Sequence, residues 1–446
     1  MPADEDCDDD DPAIGAGLPT YADLDADGYG DPATELLECV PSEGRVTNPD
    51  DCDDTDADVS PAATEICDGL DNDCDPSTSE DGRVERTGPD GVRTDDTALW
   101  TGGAEGAPVA RVLDLPASWD LCGVRAFVSL DIQADVVLRG HGGAILDGGG
   151  AARVLQSVAE QGSPEDPEHT VTLAGLTLQG GRLERFGACV FVDRTALVLE
   201  DVTITDCITD SDGLGGALAA SEAHVVAVGG SFVANGSRTG GAVAGSNSIG
   251  EFTGTTFVDN GSQYLVGPIL GADAGALSWA RGPLTLDGVT ITDHAAESGG
   301  AVLVGDTDLT LHDVVWERNV AERIGGALFA VDSTVTLEGG RFESNDAGTG
   351  GGAMYLRSTS LQGSLGSVFQ GNTGADGAGV YLEGSTAVLD GATFTGNLGS
   401  NRGGAIYLGQ SLTTLSGSTL EGNRAPFGGG AFFVGGQLLL TGNDWI

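Results

Sequence analysis

The sequence predicts an all-β fold: a right-handed parallel β-helix solenoid preceded by a small, loop-rich, acidic, disulfide-stapled module. Three observations carry this. A Gly-Gly-Ala element and an F-x-x-N element alternate along most of the chain at a fixed period. The runs between them alternate apolar and polar residues, with no helical periodicity beyond a turn. Residues 1–82 follow a different grammar, with 27 acids against one base, Arg45, so the first fifth of the chain carries half of the net charge of −50.

Composition bounds the rest. The chain has 446 residues, enough for two or more domains. All 19 basic residues are Arg, Gly numbers 73, and aromatics make up 5%. Such charge argues against nucleic acid and against anionic membrane surfaces, and favours cations. No stretch reads as a transmembrane helix, and "PADEDCDDDDP" after Met1 has no apolar signal core. A secreted protein would have a signal outside this chain. The repeat pattern also stops inside "LLLTGNDWI", which reads as a fragment whose last coil is uncapped. The eight Cys lack zinc-type spacing and fit disulfides in an oxidising compartment.

The acidic region repeats itself: "DCDDDDPAI" (6–14) aligns with "DCDDTDADV" (51–59). Between them, "YADLDADGYGDP" (21–32) alternates Asp23, Asp25 and Asp27, then Gly28, Tyr29 and Asp31. Oxygens at alternate positions, a backbone carbonyl at Tyr29 and a Gly at the bend are the start of a calcium loop. Thr34 stands where an EF-hand has its bidentate Glu, and no helical pattern flanks the loop. Two further triplets, Asp54/Asp56/Asp58 and Asp71/Asp73/Asp75, make Ca²⁺ or another divalent cation a stronger reading than a merely solvated acidic run. Repulsion opposes folding of such a segment until a cation neutralises it, and disulfides lower the ordering cost. Of the three pairings that Cys39, Cys52, Cys67 and Cys74 allow, the short-range one is Cys39–Cys52 with Cys67–Cys74.

This region resembles the bacterial "putative metal-binding motif" repeats, a family named for a surface protein of methane oxidisers. The resemblance is carried by "YADLDADGYGDPATELLECVPSEGRVTNPDDCDDTDADVSPAATEICDGLDNDCD" (21–75), with Pro76 where that family has Gly. It implies metal binding and a surface location, and leaves the metal open.

Residues 83–446 are expected to form the solenoid, with first coils over about 95–165 and regular coils over about 170–446. "GGALAA" (215–220), "GGALFA" (325–330), "GGAMYL" (351–356) and "GGAIYL" (403–408) alternate with "FVDN" (257–260), "FESN" (342–345) and "FTGN" (394–397). Asn319, Asn345, Asn372, Asn397 and Asn423 step by 25 to 27 residues, the mark of stacked repeats. The residues following the GGA-like elements, Leu218, Val243, Leu277, Val302, Leu328, Met354, Val380, Ile406 and Phe432, form the expected inward row. The Asn residues are expected to bond along the axis as a ladder, with His294 in place of one of them. Cys189 and Cys207 are expected to bridge, while Cys7 and Cys122 have no evident local partner. The insertions 159–169 and 263–275 lengthen single turns.

The pattern over 170–446 resembles pectate-lyase-like solenoids, and most closely the GGA/FxxN repeats of polymorphic outer-membrane and adhesin passengers. "ADVVLRGHGGAILDGGGAARVL" (134–155) is similar to the first coils of bacterial β-helix proteins. Lyases and hydrolases share this fold, and their chemistry needs carboxylates clustered on one face. Asp201, Asp206, Asp287, Asp293, Asp306, Asp308 and Asp313 instead fall at turns beside Gly, where Asp is at home. The expectation is therefore a non-enzymatic structural or adhesion-type protein, extracellular or on a bacterial cell surface. Its partners would be divalent cations and surface glycans or other surface proteins. The alternative is a carbohydrate-active β-helix enzyme.

Overall fold

One coil shows why this sequence winds as it does. Leu328–Val331 forms a strand directly after Gly325, Gly326 and Ala327. Gly325 takes a left-handed φ of 67°, and a Cβ on Gly326 would lie 2.1 Å from the Gly352 carbonyl oxygen of the next coil. The Gly pair is therefore a packing requirement. Asp332, at φ 50°, turns the chain into Thr334–Glu338, whose Val335 and Leu337 point inward. Gly339 and Gly340 turn it again into Arg341–Glu343, which buries Phe342. Ser344 and Asn345 make the last corner before Asp346–Gly350 leads to the next Gly pair.

Stacking such coils gives a parallel β-solenoid of about 12 turns. The computed structural model describes residues 17–210, 213–261, 273–363 and 365–446. The repeat remnant at 6–14, with Cys7, and most of the insertion 263–275 lie outside them. Each strand pairs with its equivalent one coil on: Leu328 with Met354, Val335 with Leu361, Phe342 with Phe369. Three long sheets result. The first holds the strands that follow the Gly pairs, the second is 15-stranded, and the third carries the F-x-x-N aromatics. Asp346–Gly350 belongs to a shorter fourth strip of five strands. The core is the tube between the sheets, and alternation along each strand fills it.

The expected inward row holds from Leu218 to Ile406, all fully buried. It fails at Phe432. Ile406 pairs with Ala431, and Tyr407 with Phe432. The cause is the run Gly428, Gly429, Gly430: the left-handed turn falls on Gly428, one residue earlier than a GGA reading places it. Phe432 therefore stands outside, with its ring 5.9 Å from that of Tyr407.

The Asn ladder runs along one corner of the tube. Asn345 Oδ1 accepts from both the backbone N–H and the side-chain amide of Asn319, each at 3.0 Å. Its Nδ2 donates to the Trp316 carbonyl and to Asn372 Oδ1. The same pattern links Asn372 to Asn397, and Asn397 to Asn423. Every polar atom of these buried amides is thus paired, and so are backbone groups at the turn that would otherwise be orphaned. His294 keeps the chain of bonds intact, with Nδ1 3.0 Å from Asn319 Oδ1 and Nε2 3.1 Å from Asn260 Nδ2. Cys207 occupies the ladder position before Asn235 and is bonded to Cys189.

The acidic module is built around a three-stranded antiparallel sheet of Leu18–Ala22, Asp31–Glu38 and Arg45–Val46. Residues 47–82 form neither helix nor strand. Arg83–Thr87 and Arg93–Asp95 then run antiparallel at the edge of the 15-stranded sheet, ahead of its parallel strands. The expected short-range disulfides do not form. Cys52 is bonded to Cys74, and Cys67 to Cys122; Cys39 is also disulfide-bonded. Short loops close cheaply, but packing decides here. Cys67 and Cys122 are both buried where the module meets the solenoid, and Arg83 also binds the Glu65 carbonyl there.

Candidate metal centre

The loop between the first two strands is held at both ends by backbone bonds, Asp23 N–H to the Gly44 carbonyl and Gly30 N–H to the Asn48 carbonyl. Gly28, at φ 99°, gives the bend. A second segment docks on this loop through Asp51 N–H to the Gly30 carbonyl, and through Leu24 N–H to Asp54 Oδ1 at 2.8 Å. Asp51 and Asp54 are thereby brought over the Asp23/Asp25/Asp27 triplet.

The carboxylates divide their labour. One oxygen braces the backbone: Asp25 Oδ1 accepts from Asp27 N–H, Asp27 Oδ1 from Tyr29 N–H, and Asp51 Oδ1 from Asp53 N–H. The other oxygens, Oδ2 of Asp25, Asp27, Asp51 and Asp54, together with Oδ1 of Asp23, are buried and have no hydrogen-bond partner. Carboxylate oxygens of Asp23, Asp25 and Asp27 lie within 4.8 Å of one another, as do those of Asp25, Asp51 and Asp54. Asp25 is common to both groups.

Unpaired carboxylate oxygens this close repel and have lost water. Desolvation, with the charges of Asp27, Asp23 and Asp54, holds the Asp25 carboxyl above the ordinary carboxylate range. Asp51 is pushed the same way by desolvation and by Asp27, Asp25 and Asp54. The module's base does not relieve them. Arg45 is spent inside the sheet, on Thr20, the Thr34 carbonyl and Glu38. The donor set is all oxygen, in two groups of three carboxylates that share Asp25, and it fits a hard cation.

The remaining expected ligands fall elsewhere. Asp31 caps its own strand by accepting from Ala33 N–H, and Asp56 accepts from Asp58 N–H with both side chains exposed. Asp75 binds the N–H and hydroxyl of Ser77, which lower its pKa. Asp71 and Asp73 group with Glu65, a residue outside every triplet. Glu65 is buried, its carboxyl is pushed up by desolvation, and it accepts from Asp73 N–H at 3.2 Å. Asp51 was likewise outside the alternation. Its signal was the repeated "DCDD" itself, whose first Asp the triplet rule ignores.

The solenoid carboxylates named as catalytic alternatives sit mostly at corners. Asp201, Asp206, Asp293, Asp306 and Asp313 all have left-handed φ values between 45° and 63°. Asp287 and Asp308 lie on strands.

A family described as "putative metal-binding motif", and labelled for copper binding, matches residues 6–24 and 51–80. The match covers about a tenth of the chain and includes Asp23, Asp51, Asp54, Glu65, Asp71 and Asp73. No curated protein matches the chain. Among the described residues no helix is long and apolar enough to cross a membrane.

Proposed function

We propose that this is an extracellular or cell-surface protein of structural or adhesion type, in which a Ca²⁺-binding module is fixed to the start of a β-solenoid rod. The observation that carries the reading is the pair of carboxylate trios sharing Asp25, in which five buried oxygens have no hydrogen-bond partner. Calcium suits them because it takes six to eight oxygen ligands and tolerates irregular geometry. Copper would call for imidazole or sulfur donors. Among the described residues no His or Cys belongs to these carboxylate groups, and Cys39, Cys52, Cys67 and Cys74 are held in disulfides.

Disulfides of this kind persist in oxidising compartments, which supports a location outside the cytosol. The solenoid suits a display rod of the kind found in polymorphic outer-membrane passengers, since stacked coils offer long surfaces for glycans or proteins. Titration calorimetry of the full chain with Ca²⁺, Mg²⁺ and Cu²⁺ tests the metal. Saturable Ca²⁺ binding lost in Asp25→Asn supports the reading, and Cu²⁺ binding in its place overturns it.

A further inference from the structure

The outward row of the first sheet is aromatic over its later coils. Phe329, Tyr355, Tyr381 and Tyr407 follow one another in register, and the Tyr355–Tyr381 and Tyr381–Tyr407 rings stack at 4.4 Å. Traced back, the same row reads Leu303, Ser278, Ala244, Ala219 and Phe191. Three consecutive coils thus carry a small side chain where a ring stands elsewhere. The gap is a groove of about 490 Å³, with Phe191 at one end and the half-exposed Phe186 and Leu214 along its side. At about 4.8 Å per coil it is about 14 Å long.

Two guanidinium groups border this groove. Arg281 is exposed and donates to Ser246 Oγ, on the groove wall, at 3.1 Å. Among the described residues no carboxylate lies within ion-pair distance of it. Arg153 rests on the Phe191 ring, 5.1 Å from its centroid, and binds the Phe186 and Gly187 carbonyls. The neighbouring acids Glu222 and Asp193 share Arg194, at 3.1 and 3.4 Å. In a protein of net charge −50, an apolar slot bordered by guanidinium groups without acid partners is suited to an anion.

We propose that this slot binds a small amphipathic organic anion. Its flat apolar body lies on Ala219, Ala244 and Ser278 and continues the aromatic row from Phe191, while its acidic group meets Arg281. The site is independent of the metal centre. The full chain is titrated by fluorescence with 8-anilinonaphthalene-1-sulfonate and with N-phenyl-1-naphthylamine, its uncharged counterpart. One molecule of the sulfonate is expected per chain. Ala244→Phe supplies the missing ring and should weaken both probes by about tenfold or more. Arg281→Gln, at an exposed position, should weaken the sulfonate about fivefold and leave the amine unchanged. Ser278→Phe repeats the blocking test should Ala244→Phe lose its far-ultraviolet circular dichroism. Failure of the wild type to bind either probe overturns the proposal. So does binding untouched by both blocking variants, or an Arg281→Gln effect equal for the two probes.

Discussion

Cys67, buried in the acidic module, is bonded to Cys122, buried at the end of the solenoid strand Ala117–Cys122, across 55 residues of sequence. The bond makes the module part of the rod's first coil. Replacing both cysteines by Ser should cost the module about 4 kcal/mol of anchoring by loop-closure entropy. Urea denaturation and proteolysis of residues 17–82 measure this, and the strand signal of later coils should be unchanged. Non-reduced peptide mapping should recover the Cys52–Cys74 and Cys67–Cys122 peptides.

The candidate metal centre predicts a division among acids that look equivalent in sequence. Asp51→Asn and Asp54→Asn should each weaken Ca²⁺ binding about tenfold or more, because each removes a converging charge. Asp56→Asn and Asp75→Asn should leave it within about twofold, since those side chains brace exposed turns. Calorimetry on the four variants separates the two groups.

The same centre predicts a reversal of pH dependence. In chelator, the raised pKa values mean that Asp25 and Asp51 hold more protons in the folded module than in the unfolded chain. Their contribution to metal-free stability is therefore present in acid and is lost as pH rises through those raised values. With Ca²⁺ in excess the carboxylates must be ionised, so stability should instead rise with pH. Denaturation curves between about pH 4 and 7, with and without Ca²⁺, should slope in opposite directions.

In the solenoid the pH-sensitive group is His294. Burial in the ladder pushes it down to about 4 from an ordinary 6.5. The unfolded chain takes up the proton first, so stability is complete above about pH 6.5 and falls as pH drops toward about 4. His294→Asn, which restores the residue used elsewhere in the ladder, should remove this acid loss. Asn345→Ala should destabilise at every pH by about 2–4 kcal/mol, since it leaves the Asn319 N–H and the Trp316 carbonyl unpaired. Thermal melts of the two variants across pH distinguish the effects.

Much of this architecture could be read from spacing alone, because one coil's rules recur in the next. The inward row from Leu218 to Ile406, the Asn ladder, His294 within it and the Cys189–Cys207 bridge all follow from position within the period. Phe432 escaped because three glycines in a row offer two registers, and only the pairing of the preceding coil chooses between them. The module was harder to read. The triplet rule found Asp23, Asp25 and Asp27, but Asp51 and Asp54 join them through backbone contacts between separate segments. Cys122 could not be matched with Cys67 because their proximity exists only once the module has docked.

Because Leu328 lies over Met354, Val335 over Leu361 and Phe342 over Phe369, each coil presents the next with a copy of its own upper surface. The rod's length is therefore quantised. Removing residues 346–372 and joining Asn345 to Thr373 would bring equivalent residues into contact again, shortening the rod by one step of about 4.8 Å without altering its cross-section. A cut that ignores the period would misplace every glycine turn after it. Gene-level gain or loss of whole coils is thus the change this chain can absorb, and reach from the module's anchoring point is the property that such changes would tune.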